Sequence, residues 1–553
     1  MSAIVRDEIL GGQPREAASA AAPAAPVNSY DEVPYTSHPY AQATPDRLAV
    51  VATLMGMKPA GPARCRVLEL GCCSGGNLLP LAVRHPESEF VGVDISARQV
   101  ALGQEMIGAL AIKNARIERR DILDIGQTLG QFDYIITHGV FSWVPPRVQD
   151  EILAVSAENL TAEGVAYVSY NVFPGWHMRG IIRDMMLYRA SSFERPADRV
   201  RHSRALVDFL AQSVPEDNPY GSLLRRELES LRSKDDDYLL HEHLEDFNEP
   251  LYFHQFAERA TRAGLQYLGE ADFGTTSVST FKPATAQMLE TVAHDRIELE
   301  QYMDFLRNRM FRQTLLCRRG VAISDEPIPQ RLLGLHVASS AKPENPGMDV
   351  RSKAEGVFRG RHAVTKTTDP LMKSALLYLS EIWPRAVCVH DLIAIARSRL
   401  AGDAVVVDAT QITGDSLRLA EPLLRCYATS QIELTAIPSE FTLKASERPA
   451  AFRFARLQAE RTTRVTNLRH ESCTLDDLQR QVLRLLDGSR DRQAMLDELV
   501  RLLGEGTIIA RDNGRPLEGD RVRIVLDGLL TNALHVLARE ALIVAPSDGH
   551  AGR

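Results

Sequence analysis

The sequence predicts an α/β fold: a doubly wound, mostly parallel sheet, followed by mostly helical domains and a winged-helix-like unit at the carboxyl end. Between residues 67 and 170, short apolar runs bounded by Gly or Asp alternate with helical stretches. This pattern is typical of strands that are buried on both faces. Beyond about Met178 helical spacing dominates, and the 553 residues are enough for three or four folding units.

These patterns divide the chain into five predicted segments. They are a flexible Ala- and Pro-rich tail (1–28), the α/β domain (29–190), a helical domain (191–330), a middle domain with a linker at 343–368 (331–450), and the winged-helix-like unit (451–553). The tail has too little large apolar surface to offset the entropy of ordering it. The last unit combines amphipathic patterns at 475–486, 492–503 and 521–537 with the strand candidate ALIVAP.

The composition narrows the class of protein. Hydrophobic residues make up 44% of the chain and charged residues 25%, and no apolar run is long enough to span a bilayer. We therefore expect a soluble, cytoplasmic protein with no membrane partner. The net charge of -8 argues against a general nucleic-acid binder. The seven scattered cysteines fit a reducing compartment and predict no disulfide framework and no metal site.

The strongest local signal is a strand that runs into a glycine-rich turn. The strand Val67–Leu70 is followed by Gly71-Cys72-Cys73-Ser74-Gly75-Gly76-Asn77, and a helix is predicted to start near Leu78. Glycines in such a turn let the backbone approach a ligand closely. The next strand ends at Asp94, where a carboxylate can accept hydrogen bonds from a ribose diol.

The charge beside this turn distinguishes between two nucleotide-containing cofactors. A dinucleotide site needs the spacing G-x-G-x-x-G and no competing anion, whereas here the glycines stand at positions 71, 75 and 76 and Glu69 precedes them. A carboxylate repels a pyrophosphate but attracts the ammonium and sulfonium charges of S-adenosylmethionine (AdoMet). The turn therefore favours AdoMet, and with it a methyltransferase, over NAD.

Later strands extend the predicted cofactor site. Asp121 follows the third strand, where its carboxylate can accept from an adenine amino group while the backbone of Ile122 donates to a ring nitrogen; a helix cap is the alternative for Asp121. The fourth strand ends at Thr137, at the edge where open α/β sheets bind ligands. The complete predicted cofactor set is Tyr35, Glu69, Gly71, Gly75, Asn77, Asp94, Ile95, Asp121, Ile122 and Thr137.

The glycine-rich turn resembles that of the class I AdoMet-dependent methyltransferases. Their E/D-x-G-x-G-x-G pattern is matched from Glu69 to Gly75, except that Cys73 stands where the middle glycine is expected. The resemblance covers residues 30–176 and implies a Rossmann-like methyltransferase sheet with AdoMet as cofactor. The departure at Cys73 leaves the fine geometry of the loop open.

A narrower resemblance extends over most of the chain. Four segments are similar to methyltransferases that carry a methyltransferase regulatory domain, a group that includes the rickettsial protein lysine methyltransferases. These segments are 30–40, 169–177, 247–254 and 301–309. The resemblance implies an AdoMet-binding domain at 29–190, a regulatory domain at 191–330, a protein acceptor and a homodimer.

Methyl transfer to an amine needs alignment of donor and acceptor and prior loss of the ammonium proton. The candidates at the strand ends are His138, Tyr170, Asn171 and Trp176. Packing is the alternative for the two large aromatic residues, and backbone capping for His138. The group His241, His243 and His254 could suggest a metal, but its spacing fits a solvated helical face better.

The functional hypothesis is an AdoMet-dependent methyltransferase with a protein lysine as acceptor. Two alternatives stay open at this point. One is a small-molecule methyltransferase in which the added domains close a pocket. The other is a non-catalytic regulatory protein whose carboxyl-terminal unit contacts a partner or nucleic acid.

Overall fold

A seven-stranded sheet forms the centre of the protein. The computed structural model describes residues 31, 35–232, 234–401, 409–509, 511–512, 515–516 and 521–545, so the tail predicted at 1–28 lies outside the described residues. The strands of this sheet are β1 (Arg66–Leu70), β2 (Glu89–Asp94), β3 (Ala115–Arg119), β4 (Phe132–Thr137), β5 (Leu160–Asn171), β6 (Leu265–Glu270) and β7 (Phe311–Arg318). Their order is β3-β2-β1-β4-β5-β7-β6. Strands β1 to β5 are parallel, which confirms the predicted doubly wound sheet.

Helices cover both faces of the parallel part, as its apolar strands require. They are α1 (Pro45–Leu54), α2 (Leu78–Arg84), α3 (Ala97–Ala109) and α4 (Pro146–Asn159). Side chains alternate across a strand, so Val67 of β1 packs in one hydrophobic cluster and Leu68 and Leu70 in the other. Because β1 is buried on both faces, the turn after it is held at a fixed place on the edge of the sheet.

A helical insertion follows β5, as the sequence predicts. Its helices are α5 (Gly175–Ala190), α6 (Pro196–Ser213), α7 (Pro219–Arg232) and α8 (Asp236–His243), which share a small hydrophobic core of their own. The chain then continues through α9 (Phe253–Arg262), β6, α10 (Pro283–Val292), α11 (Arg296–Arg307) and β7. Helical spacing dominates the sequence beyond about Met178, but two further strands of the central sheet also lie there: β7 pairs antiparallel with β5, and β6 with β7.

Buried charges explain why β7 is hard to recognise in the sequence. Arg312 is completely buried and pairs with Glu270 at 2.7 Å, Glu300 at 2.9 Å and Asp304 at 2.8 Å. A charged residue at a core position breaks the apolar pattern by which strands are identified. Burial alone would lower the pKa of Arg312, but the three carboxylates raise it well above its ordinary value.

Between β7 and the carboxyl-terminal unit, the described residues form two small sheets and three α-helices. Their strands are β8 (His336–Ala338), β9 (Lys342–Pro343), β10 (Gly356–Arg359), β11 (Val364–Thr367), β12 (Val387–Cys388) and β13 (Glu433–Thr435). The helices are α12 (Pro370–Ile382), α13 (Val389–Ala401) and α14 (Ala409–Ala428). Where the sequence predicts a linker at 343–368, the structure has the antiparallel pair β10–β11.

The carboxyl-terminal unit contains the predicted helices and two antiparallel strand pairs. Its elements are α15 (Arg453–Arg461), β14 (Arg464–Thr466), β15 (Ser472–Thr474), α16 (Asp477–Leu485), α17 (Arg492–Gly504), β16 (Arg511–Asp512), β17 (Arg515–Pro516) and α18 (Arg521–Arg539). The ALIVAP run pairs through bridges at Ile543 and Val544. The unit contacts the α/β domain, for example through Arg461 and Glu105 at 2.6 Å. Within the described residues, every helix is too short or too polar to cross a bilayer.

Candidate functional site

A cavity of about 560 Å³ opens at the carboxyl edge of β1, β2, β4 and β5. This volume is in the range of small-molecule sites. Most of the residues that the sequence predicts for the cofactor or for catalysis line it, namely Tyr35, Glu69, Gly71, Asn77, Asp94, Ile95, Asp121, Ile122, His138 and Asn171. The edge of the sheet therefore brings together residues from both ends of the predicted α/β segment.

Three predicted residues are not among those that line the cavity. Gly75 packs behind the turn, where an added Cβ would lie 2.7 Å from Ile117. Thr137 is completely buried at the end of β4. Tyr170 is also buried: its hydroxyl lies 2.9 Å from Thr314 Oγ1 and its ring stacks on Phe256. The proposed catalytic role of Tyr170 is not supported, and its packing alternative describes the contacts.

The turn after β1 shows how Cys73 takes the place of a glycine. Gly71 has φ +71°, and a Cβ there would lie 2.4 Å from Val140 Cγ2, so this position requires glycine. Cys73 has φ +49°, in the left-handed region, and its N–H donates to Asp94 Oδ2 at 2.8 Å. The turn therefore keeps a conformation that favours glycine and is tied to the end of β2.

Asp94 is held in place by backbone donors. Besides the bond from Cys73, its Oδ1 accepts from Ser96 N at 2.9 Å. Burial raises the pKa of this carboxyl. A carboxylate has about four lone-pair sites, so both oxygens can still accept from the hydroxyls of a ribose. The position at the end of β2 agrees with the predicted role.

Glu69 offers an unsatisfied acceptor to the cavity. Its Oε1 accepts from Asn77 Nδ2 at 2.9 Å, whereas Oε2 is buried and has no hydrogen-bond partner among the described residues. Burial raises the pKa of Glu69 to about 8. A buried polar atom without a partner is costly, and an ammonium group placed in the cavity would satisfy it. The donor and acceptor set therefore fits the amino-acid end of AdoMet.

The contacts of Asp121 are compatible with both roles that its sequence position suggests. It lines the cavity, and its Oδ1 also accepts from Leu123 N at 3.0 Å, which caps a short turn of 3-10 helix. The second oxygen of the carboxylate is left to accept from a ligand. The capping alternative and the adenine-binding role are thus compatible.

The segment 35–40 closes one side of the cavity. Ser37 Oγ accepts from Gly76 N at 2.8 Å, and Tyr40 N donates to Asn77 Oδ1 at 3.0 Å. Tyr35 lies edge-on to His241 of α8, with ring centroids 5.7 Å apart. The sequence predicts only Tyr35 from this group; the density of aromatic residues before β1 is the signal that could have identified the others.

His138 is neutral in this environment. Its ring stacks on Tyr40, with centroids 3.6 Å apart, and its Nδ1 lies 2.8 Å from the Tyr167 hydroxyl. Burial lowers the pKa of His138 to about 3. An imidazole with so low a pKa is a weak base at neutral pH. The contacts therefore assign His138 to the orientation of neighbouring groups.

The helical insertion contributes a part of the cavity that, apart from the candidate Trp176, the sequence patterns did not indicate. Its contributing residues are Trp176, Arg179, Tyr238, His241 and Glu242. Burial raises the pKa of Glu242 to about 7. The expected solvated face around His241 and His243 is wrong, because both side chains are buried. These residues stand far from β1 in the sequence, and only the return of the chain to the sheet brings them to the cavity.

Three family models match parts of the chain. They are described as a methyltransferase domain (residues 68–166), a predicted methyltransferase regulatory domain (residues 235–318) and a PKMT C-terminal winged helix domain (residues 447–542). The last two agree with the expected regulatory and winged-helix-like segments.

Relatives cover almost the whole chain. The uncharacterized protein RP789 of Rickettsia prowazekii is 34% identical over 527 residues, which is 94% of each chain. A second one from that organism, RP028, is 39% identical and covers 43% of this chain and 96% of its own length.

A solved structure has the same architecture. PKMT2 from Rickettsia typhi in complex with AdoHcy superimposes with a TM-score of 0.83 at 27% identity, over 93% of this chain and all of that one. The shared architecture includes the sheet, the insertion and the carboxyl-terminal unit. Together with the cofactor geometry, these matches show that the chain is an AdoMet-dependent methyltransferase and belongs to the family of methyltransferases that combine a class I catalytic domain with a regulatory domain and a PKMT winged helix domain.

Proposed function

We propose that the protein transfers a methyl group from AdoMet to a lysine side chain of a protein. The observation that carries this proposal is Glu242, a carboxyl with a pKa of about 7 that lines the cavity among Tyr35, Tyr238 and Trp176. An amine acceptor must lose a proton before transfer, and a base works best when its pKa is near the working pH. The similarity to PKMT2 supports the same acceptor class.

The cofactor is bound by residues of three strand ends. Glu69 binds the ammonium group, Asp94 the ribose, and Asp121 with the backbone of Ile122 the adenine. When bound, AdoMet would supply an electrophilic methyl group, and its sulfonium sulfur would leave as a neutral thioether. The protein therefore has to align the acceptor and exclude water rather than stabilise a charged leaving group.

The acceptor amine enters from the side of the helical insertion. Aromatic rings attract its ammonium form, so the aromatic residues at this end favour its entry. Glu242 then accepts the proton, and His138 and Asn171 lie at the strand ends where transfer takes place. Asn171 is oriented by a hydrogen bond from its Nδ2 to Asn248 Oδ1 at 3.0 Å.

The test uses the full-length protein with AdoMet labelled in the methyl group. We expect label in proteins of a cell lysate, recovered as methyllysine after hydrolysis. Asp94→Ala, which loses the ribose acceptor, is the control without activity. Label found only in small molecules would contradict the protein acceptor.

A second experiment addresses the role of Glu242. In Glu242→Gln we expect kcat to fall by about 10²–10⁴-fold at neutral pH, because a base of this kind contributes that much, with AdoMet affinity within about threefold of wild type. The matched control is Glu229→Gln on α7, where the carboxylate is exposed. An unchanged kcat in Glu242→Gln would remove Glu242 from the reaction.

A further inference from the structure

We propose that His470 of the carboxyl-terminal unit is a positioning residue for the cofactor, and that it acts by fixing the side-chain amide of Asn77 against Glu69. The AdoMet site would then be complete only when this unit is docked on the α/β domain. This inference concerns cofactor binding, so it is independent of which acceptor the enzyme uses.

The contact comes from the loop of a hairpin. His470 lies between β14 and β15 and is buried, and its Nε2 lies 2.8 Å from Asn77 Oδ1. Asn77 stands at the start of α2, but its side chain makes no capping bond there. An asparagine at this position ordinarily caps the helix. Its amide is instead used between Glu69 and His470.

The bonds around Asn77 determine which atoms donate. Tyr40 N is a backbone donor, so the atom of Asn77 that it meets is the carbonyl oxygen. The amide nitrogen therefore faces Glu69, in agreement with the bond to Oε1 at 2.9 Å. His470 meets the same carbonyl oxygen, so its Nε2 must carry a proton and donate. Only one arrangement satisfies all three hydrogen bonds: Tyr40 N and His470 Nε2 donate to Asn77 Oδ1, and Asn77 Nδ2 donates to Glu69 Oε1.

The surroundings of His470 keep this arrangement constant. Burial, together with the nearby Arg84 and His85, lowers its pKa to about 3, so the ring is neutral at physiological pH. With one proton on the ring and Nε2 donating, a single tautomer is selected. The contact is therefore a fixed support rather than a pH switch.

The backbone at His470 is held in an unfavourable conformation. Its φ is +61°, which is rare for a residue other than glycine. Neighbouring bonds hold the loop: His470 N donates to Asn467 O at 3.0 Å, and Leu468 N donates to Ala541 O at 3.0 Å. Such strain persists where the surrounding structure imposes it, and it is frequent at binding sites.

The effect on Glu69 follows from its two oxygens. One is held by Asn77, and the other has no partner among the described residues and is left for the cofactor. If His470 no longer donates, the Asn77 amide loses one of the bonds that fix its orientation. The donor to Glu69 Oε1 is then held only through the bond from Tyr40 N to Asn77, so Glu69 is less firmly oriented and AdoMet binding weakens.

The experiment measures AdoMet affinity by calorimetry in the full-length protein, without any acceptor. We expect His470→Ala and His470→Gly to weaken binding about tenfold, the effect of losing one buried hydrogen bond. Glycine accepts the positive φ without strain, so His470→Gly separates loss of the imidazole from loss of folding. His470→Gln retains a donor and should restore affinity to within about threefold. The control is Arg461→Ala, a surface contact of the same unit.

A double-mutant cycle distinguishes positioning from general destabilisation. If His470 acts through Asn77, His470→Gly should have no further effect on AdoMet affinity in an Asn77→Ala background. Additive effects, or unchanged affinity in His470→Gly, would overturn the proposal. Because the readout is cofactor binding alone, failure to find a methylated protein would leave this result unaffected.

Discussion

At the scale of single residues, burial determines what each carboxylate of the site does. Glu69 and Asp94 lie near the ends of two adjacent strands. The carboxylate of Asp94 accepts from two backbone donors, whereas Glu69 keeps one oxygen without a hydrogen-bond partner among the described residues. The first arrangement orients a fixed acceptor. The second leaves an acceptor for a cation, because pairing with a cation would offset the free-energy cost of burying an oxygen without a hydrogen-bond partner.

The raised pKa of Glu69 predicts that AdoMet binding depends on pH. Free Glu69 has a pKa of about 8, so it is mostly protonated at pH 7, and a bound ammonium group would lower that pKa. Binding near pH 7 should release a proton, and affinity should fall by up to about tenfold per unit as the pH decreases from 7 to 6. Calorimetry in two buffers of different ionisation enthalpy measures the proton count.

Glu69→Gln serves as the control for this pH dependence. The amide cannot titrate, so its weaker binding should be independent of pH over the same range. Equal pH dependence in wild type and in Glu69→Gln would show that another group is responsible.

At the scale of elements, the buried ion-pair cluster holds β7 in the sheet. Arg312 connects β7 with Glu270 of β6 and with Glu300 and Asp304 of α11. Thr314 of the same strand donates to Glu270 at 2.8 Å and meets Tyr170 of β5. The cluster thus secures β7, which begins at the cavity residue Phe311 and pairs with β5 in the sheet.

Loss of Arg312 should be strongly destabilising. Arg312→Met removes the partner that three buried carboxylates share and leaves Arg309 beside only two of them, Glu270 at 3.1 Å and Asp304 at 3.6 Å. Breaking a buried ion pair in this way typically costs about 3–5 kcal/mol. Chemical denaturation should show this decrease in the free energy of unfolding. Arg319→Met, an exposed arginine just beyond β7, is the control and should change it by less than about 0.5 kcal/mol. Similar losses in both variants would contradict the role of the cluster.

At the scale of the whole molecule, three regions meet at one carboxylate. Glu433 of β13 pairs with Arg47 of α1 at 2.7 Å and with Arg469, next to His470, at 3.0 Å. The α/β domain, the middle region and the carboxyl-terminal unit are therefore joined close to the cofactor site. Burial alone would raise the pKa of Glu433, but the two guanidinium groups lower it overall.

The lowered pKa gives Glu433 a stabilising effect that is lost in acid. A carboxyl with a folded pKa below its ordinary value of 4.5 stabilises the protein above pH 4.5, and the effect disappears as the pH falls through the folded value. We expect Glu433→Gln to lower the melting temperature at pH 7 and to reduce its dependence on pH below 4.5. Calorimetric scans at several pH values, with the exposed Glu447→Gln as control, would show it.

Local patterns in the sequence predict much of the fold and of the cofactor site. Strands β1 to β5, the turn at Gly71, Glu69 and Asp94 are recognisable because each depends on neighbours within a few residues. Strands β6 and β7 are not, since the buried charges Glu270 and Arg312 interrupt their apolar patterns and are tolerated only because they pair across the two strands and with other elements.

The class I methyltransferase sheet and its cofactor can be predicted from the amino-acid sequence alone, because backbone turns and strand ends are set by short-range chemistry. The packing of Tyr170 away from the cavity, the position of Glu242 at its lining and the contact of His470 with Asn77, nearly 400 positions away, become visible only in the folded protein. These facts depend on how distant elements pack, and no local pattern encodes the side of a sheet that a distant loop will cover.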